Sequence, residues 1–160
     1  MTITTKREMF DRELQKLYHA ELEILDLHGD LSDAAGSSEV SEIFTGHKDD
    51  TVAQIHRIEG IFEYLGEEPT ERGSPIMEGL LAEKDEFVGE VEPAELRDID
   101  TLGIGMINER LEITLLDRLL ALADDLVMAE DVTNPLATNR QEAATALERM
   151  KNVVERKHSK

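Results

Sequence analysis

The sequence has no cysteine. That excludes a disulfide framework, a zinc–thiolate site, an iron–sulfur cluster and a thiol nucleophile. Proline is scarce, at four residues, and no stretch alternates apolar and polar residues as a half-buried strand would. Apolar runs last only a few residues, too short to span a bilayer. The opening MTITTKREMF lacks the apolar stretch of a secretory signal, so a cytoplasmic protein is expected. Basic side chains are few. Lys and Arg number 17 against 36 Asp and Glu, a formal net charge of −19. A balance that acidic argues against nucleic acid, whose phosphates demand cations, and against an anionic membrane surface.

The 160 residues suit a single domain over 1–160, long enough for one sizeable core. Hydrophobic residues make up 40% of the chain and recur at helical spacing, which a disordered acidic chain lacks. The surplus carboxylates are spread along the whole length. They read as a heavily solvated surface, as in halophilic proteins, because salt screens their mutual repulsion. The plainer alternative is an ordinary acidic helical protein.

Helical patterning runs throughout. The first helix is expected from about Thr5 to Ala35, with Phe10, Leu14, Leu17, Ile24 and Leu31 on one face. Gly36-Ser37-Ser38 ends it, with Ser38 as cap of a second helix from about Glu39 to Leu65, and Gly66 suits its C-terminal cap. Val40, Phe44, Ile58, Ile61 and Leu65 mark the inner face of that helix. Pro75 opens a short helix to about Val91. Pro93 opens a long one to Leu126, whose stripe is Ile99, Leu102, Met106, Ile113, Leu116, Leu120 and Ala123. Asn134-Pro135 reads as the start of the last helix, which runs to about Glu155 with Ala143, Leu147, Met150 and Val154 inward. Residues 66–93 are too long for a tight turn. They match the roughly 30–40 Å needed to run back along a bundle. The expected fold is all-α, a ferritin-like four-helix bundle with one long crossover carrying a short extra helix.

Polar residues interrupt these stripes. The seam 10-14-17-21-24-28-31 places Glu21 between Leu17 and Ile24. The seam 99-102-106-109-113-116 places Glu109 likewise, with Glu112 facing the same space. The middle of the second helix carries His47, Asp50, Thr51 and Gln54, and Glu142 can point inward from the last. Buried carboxylates are costly unless paired or metal-bound, and a cation is the simplest way to hold several together. Hard oxygen donors suit iron, manganese or magnesium better than copper. Glu21 and Asp50 lie at about one level, roughly 20 Å from the tight turn between their helices. Glu112 and Glu142 level up only if residues 127–134 add about a turn and a half of helix. For each residue taken singly, a boundary side chain reaching solvent is the bland alternative. His47 reads as a ligand or as a hydrogen-bonding histidine beside the ligands. His28 is expected near a bundle end, and His19, His56 and His158 at the surface. Met77, Met106, Met128 and Met150 read as core filling.

Five segments in order resemble the YciE/YciF ferritin-like stress-protein family, over about residues 8–155. They are Leu17-Tyr18-His19-Ala20-Glu21, HKDDTVAQIHRIE at 47–59, Met77-Glu78-Gly79-Leu80 with Glu83, Arg97-Asp98, and ERLEI at 109–113. Glu142 falls where the family's last helix carries an acidic pair. The resemblance implies a ferritin-like bundle, often a homodimer, with a dinuclear metal site and a role in stress, and some members are labelled ferroxidases. Matched position by position, the site comprises Glu21, Asp50, Glu109, Glu112 and Glu142, with His47 and Gln54 nearby. The sequence departs from the pattern at Asp50, where the family has the longer Glu, at Ala146, where it has an acid, at Arg110-Leu111, and at Gln141.

Two functions follow as expectations. One is a carboxylate protein holding two iron ions, or manganese or magnesium, that reacts iron with oxygen or peroxide. In it Glu21 and Glu142 would be terminal ligands and Glu109 and Asp50 bridging ones. The other is a non-catalytic helical dimerisation or interaction bundle with a degenerate metal site. A cage-forming mini-ferritin is disfavoured, since no extra interface element is visible.

Overall fold

Thr5 starts the first helix by accepting the Glu8 amide on its hydroxyl, one of the donors a helix start leaves open. In the computed structural model, which describes residues 2–158, α1 then runs Lys6–Ala34. Helix α2 spans Ser38–Tyr64, capped by the Ser37 hydroxyl on the Val40 amide, so the cap is Ser37 rather than Ser38. Gly66 closes α2 as expected, with φ of 72°. Helix α3 is Pro75–Glu90, with its proline in the first turn where no amide partner is lost. Helix α4 is Ala94–Asp125. Helix α5 begins earlier than Asn134 and spans Glu130–His158. Glu130 and Asp131 favour the positive end of the helix, which tolerates Pro135 inside it at the loss of one hydrogen bond. The added residues 130–134 supply the turn and a half that levelling Glu112 with Glu142 requires.

Helix α1 packs beside α2 and α4, and α5 beside α4 and α2. The α1–α2 turn, the start of α4 and the end of α5 meet at one end of the bundle. There Asp98 accepts the amides of Gly36 at 2.7 Å and Ser37 at 3.1 Å and pairs with Lys157 at 3.3 Å. Neighbouring long helices are therefore antiparallel. Gly36 is required at this point, because a Cβ would lie 2.0 Å from the Ala94 carbonyl oxygen. The crossover returns the chain from the far end of α2. Its loop is held by the Arg72 amide on the Gln15 carbonyl, and α3 rests on α1 and α4 through buried Met77 and Leu80. The all-helical bundle with one long crossover is thus observed, and no strand occurs among the described residues.

The apolar core comes in two blocks. One lies towards the α1–α2 turn and includes Ile24, Leu31, Phe44, Leu102 and Met150. The other lies towards the opposite end and includes Phe10, Leu14, Leu17, Ile58, Phe62, Leu116 and Leu136. One expected inward residue turns out otherwise. Ile99 is 51% exposed, because α4 is covered there only on the side of Leu102. Val154 packs against the core as expected, half-buried, with Val153 buried beside it. No helix among the described residues is long and apolar enough to cross a membrane.

Candidate metal centre

Between the two apolar blocks lies a polar belt. Glu21 projects from mid-α1, one turn after Leu17 and just before Ile24, both fully buried, so the helix period carries it inward. Glu109 and Glu112 do the same from mid-α4. All three are buried, at 1%, 3% and 2% exposure. The Asn108 side-chain amide donates to Glu112 at 3.2 Å, and Glu21 Oε2 has no hydrogen-bond partner. None of the three forms an ion pair with Lys or Arg among the described residues. Two other buried carboxylates are treated differently. Glu13 is surrounded by Arg12, Lys16 and Arg118, and Asp98 by Lys157 and two amides.

Helix α2 contributes His47, buried, with neither ring nitrogen hydrogen-bonded. The Thr51 hydroxyl donates back to the His47 carbonyl one turn earlier, at 2.8 Å, so it is not a partner of the ring. His28 departs from expectation. It is not at a bundle end but buried beside His47, their ring centroids 5.6 Å apart, with Nδ1 unpartnered. Its seam position continues Glu21 and Ile24, and α1 runs two turns beyond it, so it never reaches solvent. One donor atom each of His28, His47 and Glu109 lie within 4.8 Å of one another.

Asp50 and Glu142 stand at the rim, with buried Gln54 beside them. Asp50 is exposed yet borders the cavity between the helices. The Oε1 atom of half-buried Glu142 accepts from Arg57 at 2.7 Å and from Gln54 at 3.1 Å. Arg57 also donates to Asn139, which in turn donates to the Gln54 carbonyl. Glu142 and Gln54 are therefore joined to each other. His19, expected at the surface, is half-buried against Glu71.

Burial pushes the Glu21 carboxyl well above its usual range, and Glu112 adds to the shift. Glu109 is raised for the same reason, with Glu112, Glu21 and Asp50 contributing. Glu112 is pushed up to about 8 by burial, the Asn108 amide opposing. Burial also raises Asp50, aided by Glu142. The imidazoles move oppositely, His28 down to about 3 and His47 to about 4, both chiefly through burial. Burial thus favours the acid form of Glu21, Glu109 and Glu112, with Glu112 largely protonated near neutral pH, and leaves the imidazoles uncharged. A cation would reverse the first and suit the second.

The cavity enclosed by His28, His47, Asp50, Glu109, Glu112 and Glu142 measures about 10 Å³, room for a single water or ion and not for an organic substrate. Outside it, a vestibule of about 130 Å³ between α2 and α5 shares His47, Asp50 and Glu142 and is flanked by Thr145 and Arg149. Among the described residues, six buried side-chain atoms have no hydrogen-bond partner: Glu13 Oε2, away from the belt beside its cations, and, in the belt, Glu21 Oε2, both His47 nitrogens, His28 Nδ1 and Asn108 Oδ1. The carboxylate and imidazole atoms among the belt five are metal-ligating types, so the donor set fits a divalent cation. Sequence reasoning missed His28 and Asn108. Position 28 on the Glu21 seam was the available signal, and Asn108 had none beyond adjacency to Glu109.

The profile of the family described as "Domain of unknown function (DUF892)" matches residues 5–160. The chain belongs to this family. It is the one the YciE/YciF motifs resemble. Protein YciF of Escherichia coli (strain K12) is 28% identical over 127 residues, covering 79% of this chain and 76% of YciF. The crystal structure of the E. coli stress protein YciF matches with a TM-score of 0.92 at 23% identity, over 99% of each chain. YcfI of Rhodopseudomonas palustris, described as a candidate structural protein, matches at 0.90 and 28% identity, over 93% of this chain and 94% of YcfI.

Proposed function

We propose that this DUF892 chain is a cytoplasmic carboxylate-bundle metal protein that binds iron in the polar belt and reacts it with oxygen or peroxide under stress. One observation carries the reading. Glu21, Glu109 and Glu112 are buried near enough to raise one another's carboxyls and have no basic partner among the described residues, while Glu13 and Asp98 in the same fold have theirs. Ionised carboxylates so placed need a cation. Glu21, Glu109 and Glu112 would hold the first ion, with Asp50 and His47 reaching it from α2. A second ion would need Glu142 released from Arg57 and Gln54. Manganese and magnesium are alternatives for the same oxygen donors. Bound iron supplies electrons to oxygen or peroxide. The chain itself keeps organic molecules out of a cavity this small and admits small oxidants through the vestibule. The name of YciF as a stress protein supports the setting.

The test is oxidation of Fe(II) in air by the purified chain. Ferric iron forming faster than in buffer, and slower in Glu109→Gln, supports the reading. A rate equal to buffer favours the second reading, a non-catalytic bundle. That second reading draws on the Arg57–Glu142 pair, which leaves the ligand set one carboxylate short. It also draws on Leu96, Ile99 and Ile107, each at least half exposed along α4, which a homodimer would cover. Sedimentation of the parent and of Ile107→Glu tests that dimer.

A further inference from the structure

We propose that His28, His47 and Glu109 form a nitrogen-bearing metal seat, with one imidazole from α1, one from α2 and a carboxylate from α4. This deepens the iron-binding reading, with which it shares His47 and Glu109, and it makes His28 a direct ligand. The three donor atoms already lie within 4.8 Å of one another. Metal bonds of about 2.1 Å span donor pairs up to about 4.2 Å, so small side-chain rotations close the difference. Both rings are almost wholly buried, at 2% and 3% exposure. His47 has no hydrogen bond at either nitrogen and His28 none at Nδ1. A buried polar atom without a partner is costly, and two imidazoles meeting edge to face beside a carboxylate offset that cost by sharing an ion.

The consequence is selectivity. An all-oxygen shell suits magnesium and manganese, whereas two imidazoles and one carboxylate favour iron, cobalt, nickel and zinc. The seat also explains how the chain could hold a metal firmly while Glu142 stays on Arg57. Glu112, which lines the same cavity, and Glu21, whose carboxyl feels Glu112, remain as oxygen donors beside the seat.

Co(II) is titrated into the metal-free full-length chain, and proton NMR records the hyperfine-shifted, exchangeable ring N–H signals of bound imidazoles. The proposal expects two such signals in the parent, one in His28→Leu, and one in His47→Leu. His28→Asn is the second variant should the leucine disturb folding, with circular dichroism confirming helicity. Cobalt binding that depends on Glu21 yet gives no shifted imidazole signal overturns the nitrogen seat and leaves the carboxylate site standing. Signals that persist when both histidines are replaced belong to His19, His56 or His158, outside the belt, and also overturn it. No cobalt bound at all overturns the seat, and Fe(II) binding then decides the carboxylate reading separately.

Discussion

Glu13 and Glu21 lie on the same helix, both buried to within 2% of exposure, and only Glu13 has cations around it. The metal-free chain should answer to their replacement with opposite signs. Glu13→Gln breaks a buried carboxylate's pairing with partly exposed Arg12, Lys16 and Arg118 and should cost about 1–2 kcal/mol. Glu21→Gln removes a carboxyl that the fold keeps from ionising, so the metal-free melting temperature at neutral pH should hold or rise. The same variant should lose the melting shift that saturating metal gives the parent. Thermal melts with and without Mn(II) check both.

The pH dependence of the metal-free chain follows from the belt. Glu112 sits at about 8 against a usual 4.5, and Glu21 and Glu109 are raised as well. The unfolded chain ionises these groups first. Their contribution is therefore full below about pH 4.5 and is lost as pH rises, until Glu112 itself ionises near 8. His28 at about 3 and His47 at about 4, against 6.5 unfolded, act on the acid side, where stability falls below pH 6.5. Melting temperature without metal should peak between these limbs. Bound metal should abolish the alkaline decline, and a metal-free profile flat from pH 5 to 8 would contradict the belt's protonation.

Val127 closes α4 with φ of 53°, in the position that Gly66 fills after α2, and it is 89% exposed. A β-branched residue is strained there and packs on nothing that would repay it. Val127→Gly should stabilise the chain by about 1 kcal/mol, read from denaturant melts.

With a net charge of −19, the carboxylates outside the belt repel one another. Screening should raise the melting temperature steeply from low to molar KCl. A melting temperature indifferent to KCl would remove the halophilic reading of the composition and leave the fold untouched.

The sequence made the bundle legible because its helices keep strict apolar periods, and Glu21 and Glu109 stood out by breaking them. Helix α5 was the exception. Pro135 reads as a start, while the electrostatics of Glu130 and Asp131 begin the helix five residues before it. Ile99 followed the period but lies where no neighbour covers it, which a single helix's pattern does not encode. At the site, depth was readable and partnership was not. Position 28 shares a seam with position 21, yet its meeting with His47 depends on how α1 and α2 lie against each other. The capture of Glu142 by Arg57 depends likewise on α2 and α5 packing side by side.

Equilibrium dialysis of the metal-free chain against Fe(II) under argon tests the account's centre most directly. The parent should retain at least one iron per chain, and the double variant Glu21→Gln/Glu109→Gln, still folded and no less stable without metal, should retain none. Equal iron in both, or none in the parent, would contradict a metal in the belt.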